Sequence, residues 1–375
     1  MKIVVAPDKF KNSLTGMAFC NAVEEGIHQV KPNVDIVKLP LADGGDGTIE
    51  IINYYLKGEI IDVIVRDPFF RSIKASYLYA VTSKTAFIEM AEASGVKLLK
   101  PEEFDCKNAT TLGTGDMIVD AIEKGAKHII LGIGGSATND CGIGMATALG
   151  YLFLDENHSD LRPIGANLEH IKTIDISNLH PKLKEIDVKV ACDVTNPLYG
   201  ANGSAYVYAA QKGATSEDMK QLDNGLQHIS KLIEAVFKVD PQKVVGAGAA
   251  GGMGIASKVF LNGTLERGIE LIKDLAQFDA KIENADWIIT GEGKLDVQTM
   301  SGKTINGVLS SANEKYIKVA AFCGAIDLDT DAIKALGIHY ADKVDNYAEN
   351  KEDAMANGYA YVKEMAKNFA NKTLI

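Results

Sequence analysis

Residues 129–150, IILGIGGSATNDCGIGMATALG, constrain the fold more than any other stretch. The apolar run HIILGI at their start suits a strand buried on both faces, which is the habit of a parallel sheet. Gly134-Gly135-Ser136 then breaks the run, and backbone N–H groups there can turn outward with no side chain in the way. Asn139 and Asp140 follow as N-caps, and apolar spacing resumes through Met145 and Leu149. A strand, a glycine turn and a helix start in succession make a seat for an anion. A tight turn that binds nothing has the same local pattern, so the other stretches must decide.

They repeat the theme of charged or glycine-rich loops at strand ends. Residues 2–6 form a short buried strand that leaves through Pro7-Asp8-Lys9-Phe10-Lys11, and Ser13 or Thr15 caps a helix to about residue 30. A second strand, 35–40, runs into Asp43-Gly44-Gly45-Asp46-Gly47, and a helix follows. Asp43 and Asp46 do not make a calcium loop, because the bidentate Glu of an EF-hand is missing. A strand over 188–194 places Asp193 beside a Pro-fixed turn, a suitable posture for an acid–base group. Residues 286–290 form another buried strand, leading to Glu292, Lys294 and Asp296 and then Ser301-Gly302-Lys303-Thr304. The last four resemble the tail of a P-loop, but Val297 stands where its first Gly must be, so there is no P-loop. Gly246–Gly252 formally matches GxGxxG, yet only Val244-Val245 precede it and the dinucleotide context is poor.

Between residues 59 and 91 the texture changes to alternating strands that read as antiparallel or mixed ribbons. Arg66 and Arg71 flank the turn at Asp67-Pro68 there. A chain of 375 residues exceeds one compact core. The expected architecture is therefore α/β with two domains. Residues 1–60 plus 283–375 form a doubly wound parallel sheet, and 61–282 are inserted as a second α/β domain with a mixed sheet. The active site is expected in the cleft between them, closing on substrate. A formal net charge of −11 disfavours nucleic acid, which needs a basic stripe. No run of about eighteen apolar residues predicts a membrane span, and the first residues are too short in apolar content for a signal peptide. Five scattered cysteines with no CxxC pair fit reduced thiols in a cytoplasmic protein. Cys141 reads as a small buried spacer.

Taken together, APDKFKNSL (6–14), PLADGGDGT (40–48), TTLGTGDMI (110–118), IGGSATND (133–140), CDVTNPLYG (192–200), QKGA (211–214), GAGAAGGMG (246–254) and TGEGKLDVQTMSGK (290–303) resemble the type-1 glycerate kinases. The resemblance covers nearly the whole chain. It implies a flavodoxin/Rossmann-like domain carrying an inserted domain, and phosphorylation of D-glycerate with ATP and Mg²⁺ as cofactors. Bacterial members of that family point to 2-phosphoglycerate ahead of 3-phosphoglycerate as product. The chain departs from the family pattern at Asn12, Phe70 and Cys141, where Gly is usual, at Asn306, near a usual Pro, and at Lys294, where Arg is common.

Phosphoryl transfer requires positioning, charge neutralisation and a group to take the hydroxyl proton. The candidate catalytic residues are Asp193, Asp43 and Lys9. Lys11, Arg71, Ser136, Asn139 and Lys294 are candidates for binding substrate. Gly134, Gly135, Gly248, Gly251, Gly252 and Lys303 are candidates for phosphate. Asp46, Asp140, Glu292 and Asp296 offer the oxygen ligands that Mg²⁺ prefers. The alternatives are a small hydroxy-acid binding protein and a nucleotide-dependent oxidoreductase. Partners are limited to small molecules, and monomer and homodimer both stay open.

Overall fold

The computed structural model describes residues 1–10, 12–42, 48–296 and 304–374. Two compact units emerge, one of Met1–Tyr55 with Arg267–Ile375 and one of Leu56–Glu266. The sequence reading sets these divisions near residues 60 and 283. The later one falls earlier because the Gly268–Ala276 helix packs on Thr304–Glu314: a Cβ added to Gly307 would lie 2.6 Å from Ile269 Cγ1.

The first unit is built on a five-stranded sheet in the order Asp35–Lys38, Lys2–Val5, Trp287–Thr290, Lys318–Cys323, Ile338–Lys343. Every neighbouring pair is parallel. Numbered within the unit the order is 2-1-3-4-5, the flavodoxin-like winding. The three central strands are apolar on both faces, as their burial requires. Ile3, Val5, Trp287, Ile289, Ala320 and Phe322 face the helices Gly16–His28 and Gly358–Thr373. Val4, Ile288, Val319 and Ala321, the alternating residues, are equally buried. The two helices approach closely at Gly26, where a Cβ would lie 2.2 Å from Lys363 O. The chain closes in two helices, Lys351–Ala356 and Gly358–Thr373, separated at Asn357.

The second unit holds a six-stranded mixed sheet in the order Thr264–Glu266, Asp187–Ala191, His128–Gly132, Thr85–Glu89, Ser72–Ala80, Glu59–Arg66. The first four strands are parallel and the last two antiparallel. The Leu112–Glu123 and Ile143–Ala148 helices meet at Gly115, where a Cβ would sit 2.5 Å from Met145 O. The long Ser216–Phe237 helix starts in a capping box formed by Thr215 and Asp218.

Replacing Gly26 with Val should wedge the two helices apart at Lys363. We expect a loss of about 1–3 kcal/mol, read as a lower thermal midpoint of the first unit.

Candidate active site

In the first unit the loops leaving Lys2–Val5 and Trp287–Thr290 run together at the topological switch point, where open α/β sheets take their ligands. Ala6 N–H donates to Ile289 O and Asp8 N–H to Gly291 O, both at 2.8 Å. The Asp8 carboxylate accepts the Thr304 hydroxyl at 2.6 Å and the Lys9 N–H at 2.7 Å. Thr304 opens the Thr304–Glu314 helix, so Asp8 joins its loop to that helix start through its carboxylate and to the second loop through its backbone N–H. Beside it lies a cavity of about 290 Å³ lined by Asp8, Lys9, Phe10, Asn12, Leu41 and Glu50, among others. Asp8 is absent from the sequence candidates. Its place in a loop after a parallel strand was visible, but its partner lies 296 residues on.

Glu292 is buried in the loop after Trp287–Thr290, and the half-buried Asp296 follows four residues later. Lys294 is exposed, 2.7 Å from Asp327 and 3.9 Å from Asp296. Its hydrogen bond to Asp327 holds its pKa above the usual lysine value. Lys11, Asp43, Asp46 and Lys303 lie outside the described residues.

The second unit centres on the loop after His128–Gly132. Gly134 and Gly135 are exposed at its tip, and Gly135 is left-handed with φ 69°. Beneath them Lys212 is only 5% exposed, and its Nζ donates to Ser136 Oγ at 2.6 Å and to Thr138 O at 2.9 Å. Burial pushes the Lys212 pKa down to about 8, against smaller opposing effects of Cys106 and Asp140. Asn139 is fully buried, and neither its amide oxygen nor its nitrogen has a partner among the described residues. The same holds for Thr138 Oγ1.

Asp140 is not available to Mg²⁺. Its carboxylate is fully buried and accepts Thr111 N–H and Thr111 Oγ1–H at 2.8 Å each, Gly142 N–H at 3.1 Å and Gly144 N–H at 3.3 Å. Burial pushes its pKa up while these donors pull it down. The Ile143–Ala148 helix is capped by Gly142, so the amide donors expected to face an external anion are met internally by Asp140. Cys141 is buried, and burial raises its thiol pKa well above the usual value, as an inert spacer requires.

The Gly246–Gly252 run has no strand before it; a short 3₁₀ turn, Pro241–Lys243, stands there. Ala250, Gly251 and Gly252 are left-handed in succession, with φ 52°, 76° and 94°. A Cβ on Gly251 would lie 2.2 Å from Thr138 O, and one on Gly252 2.8 Å from Cys141 Cα. Cys141 N–H donates to Gly251 O at 2.9 Å. These two glycines admit the neighbouring loop, a packing demand that replaces the expected phosphate approach. Gly248 does the same for the next loop: a Cβ would lie 2.2 Å from Pro197 O, and its N–H donates to Asn196 O at 3.0 Å.

Asp193 is exposed two residues beyond the Asp187–Ala191 strand, which ends earlier than the sequence suggests. Its loop is braced by Tyr208 Oη–H donating to Asn196 Oδ1 at 2.6 Å and by Asn196 Nδ2 donating to Asn202 O at 2.9 Å. Arg71 is committed elsewhere. It pairs with the buried Asp67 and, at 2.7 Å, with Glu103, which makes it a staple of the 67–71 turn and not a substrate cation. Ser136 and Asn139 thus share one loop, Gly251 and Gly252 pack against it from another segment, and Gly248 packs against the loop that carries Asp193.

Acidic, basic and glycine-rich loops at the carboxyl ends of parallel strands, in one parallel and one mixed sheet, are the arrangement of an α/β protein that takes a polar ligand at its strand ends. The profile of the Glycerate kinase family matches residues 3–374. The chain is 41% identical over 370 residues to a glycerate kinase of Bacillus cereus, covering 99% of this chain and 97% of that one. It is 39% identical over 370 residues to the glycerate 2-kinase of Escherichia coli, with the same 99% and 97% coverage. A crystal structure assigned as glycerate kinase 2 from Salmonella typhimurium LT2 superposes with a TM-score of 0.87 at 40% identity, covering 99% of this chain and 97% of that chain. The chain belongs to the glycerate kinase family.

Replacing Asp140 with Asn would present an N–H₂ to groups that are themselves donors. We expect about 2–4 kcal/mol of destabilisation, seen as a lower melting midpoint at every Mg²⁺ concentration. An unchanged midpoint with a raised Mg²⁺ requirement would return Asp140 to the metal.

Proposed function

We propose that the chain transfers the γ-phosphoryl group of ATP to D-glycerate, with 2-phosphoglycerate and ADP as products. The observation that carries this reading is the family match over residues 3–374. The name of the Escherichia coli relative, a glycerate 2-kinase, supports the 2-hydroxyl as acceptor.

The substrate hydroxyl oxygen attacks the γ-phosphorus, its proton passes to a carboxylate, and the bond to the ADP oxygen breaks. Asp193 is our choice for that carboxylate, with Asp43 as the second candidate. Lys9, aided by Lys11 and Lys303, neutralises charge on the transferring group. Ser136 and Asn139 contact substrate oxygens, and the Gly134–Gly135 amides meet phosphate oxygens. Glu292 and Asp296, with Asp46, suit Mg²⁺, since two or three carboxylate oxygens together with phosphate make its usual environment. Mg²⁺ bound there supplies charge neutralisation at the phosphates. Among the described residues no helix is long and apolar enough to cross a membrane. We place the reaction in the cytoplasm, in keeping with five free thiols.

The hydroxy-acid binding and oxidoreductase readings predict no consumption of ATP. Phosphorus NMR of the protein with ATP, Mg²⁺ and D-glycerate separates them from the kinase. A phosphomonoester signal should grow together with ADP, split as a doublet for a CH–O–P product and as a triplet for CH₂–O–P. Intact ATP would refute the reading.

Asp193→Asn should lower kcat by about 10²–10⁴-fold and leave D-glycerate affinity nearly unchanged. Steady-state kinetics beside equilibrium binding checks this, and near-normal kcat would pass the role to Asp43.

A further inference from the structure

We propose that Lys212 is a positioning residue of the Gly134–Ser136 turn: its buried ammonium directs the Ser136 hydroxyl and makes the turn receptive to an anionic oxygen, carboxylate or phosphate, of a ligand. The geometry of the claim stands alone, and the identity of the anion rests on the phosphotransferase reading.

An ammonium has donors only, so at 2.6 Å Ser136 Oγ must accept from Lys212 Nζ. The hydroxyl proton is then directed away from Lys212 and polarised by a cation behind it. The second ammonium bond, to Thr138 O, fixes the strand of loop beyond the turn. Backbone bonds hold the base of the lysine: Cys106 N–H donates to Lys212 O, and Asn139 N–H donates to Cys106 O, both at 3.2 Å. Gly213 follows with φ 91°, and a Cβ there would lie 2.0 Å from Phe104 O, so the backbone after Lys212 has no slack.

Burial makes this an expensive way to hold a loop. A lysine removed from water normally keeps a carboxylate beside it. Among the described residues, no carboxylate lies within ion-pair distance of Lys212, and its two bonds go to neutral oxygens. An apolar side chain of the same length would pack there at lower cost, so the retained charge has an electrostatic use. The turn above offers the outlet. Gly134 is exposed, and a Cβ there would meet nothing within 4 Å. The fully buried Asn139 amide and the Thr138 hydroxyl, without partners among the described residues, are further polar groups on the same loop.

The test compares wild type, Lys212→Met, Lys212→Arg, Ser136→Ala and the Lys212→Met/Ser136→Ala double variant. Calorimetry at pH 7 measures binding of D-glycerate and of inorganic tripolyphosphate, with adenosine as a neutral control. Lys212→Met should weaken one of the two anions by about tenfold or more and leave adenosine unchanged. Ser136→Ala, which keeps the lysine in place, should weaken the same anion, and the double variant should be no worse than the poorer single one. Lys212→Arg should recover most of the binding. In turnover, KM for the affected ligand should rise with little change in kcat. Equal binding of both anions by wild type and Lys212→Met would overturn the proposal. So would a parallel loss of adenosine binding and melting temperature, which marks a merely structural lysine. Binding is read without catalysis, so a wild type that binds anions but leaves ATP intact would refute the kinase reading alone.

Discussion

The parallel pairing of Lys2–Val5 with Trp287–Thr290 is the contact on which the first unit depends. It joins Ile3 to Trp287, residues separated by most of the chain. Closing a flexible loop of that length costs on the order of 5 kcal/mol, too much for a few ladder bonds alone. The Leu56–Glu266 unit has its own core, which shortens the effective loop once it has folded. Side chains then reinforce the seam. Asp286 accepts the Lys2 N–H at 2.8 Å, and Lys2 Nζ donates to Lys281 O at 2.7 Å and Glu283 O at 2.9 Å. The same pairing creates the switch point, so the fold constraint and the location of Asp8, Lys9 and Glu292 have one cause.

Polar burial organises the second unit in another way. Asp140, on the loop, and Lys212, bonded to it, are both removed from water, and neither ion-pairs with the other. Each instead collects neutral partners: Asp140 four donors, Lys212 two acceptors. Such networks specify a single loop geometry, because a partly satisfied one costs more than an apolar replacement. Two of the three left-handed residues at 250–252, Gly251 and Gly252, pack closely on that loop. The loop's conformation is thus determined by three segments distant in sequence.

This explains what could be read from the chain and what could not. Strand ends and the loops after them follow from local apolar runs, so the neighbourhoods of Lys9, Ser136, Asp193 and Glu292 were visible. Asn12, Phe70 and Cys141, where the family resemblance leads one to expect Gly, all adopt positive φ, at 61°, 66° and 52°. A family preference for Gly is the trace of a left-handed backbone, and these side chains accept the strain. Partners are a different matter. Asp140 resembles a metal ligand until Thr111, twenty-nine residues earlier, supplies two donors. Lys212 resembles an ordinary surface lysine until Ser136 and Thr138 come over it. Arg71 resembles a substrate cation until Asp67 and Glu103 claim it. In each case residue type was informative and its engagement by partners elsewhere in the chain was not.

On the function proposed above, the two units prepare for anions by different physics. In the first, formal charges on switch-point loops do the work, and Asp8 holds those loops without supplying a cation. In the second, Gly134 and Gly135 are exposed at the turn, and the only cation bonded to the loop among the described residues is the buried Lys212. A surface lysine at the same turn would be mobile and screened by salt. A buried one is neither, and its field reaches the turn through a medium of low polarity. The cost is a pKa near 8, close enough to neutrality that the charge persists at pH 7 with little reserve. A cation that must remain charged while buried is best given fixed acceptors, which is what the Ser136 hydroxyl and the Thr138 carbonyl provide.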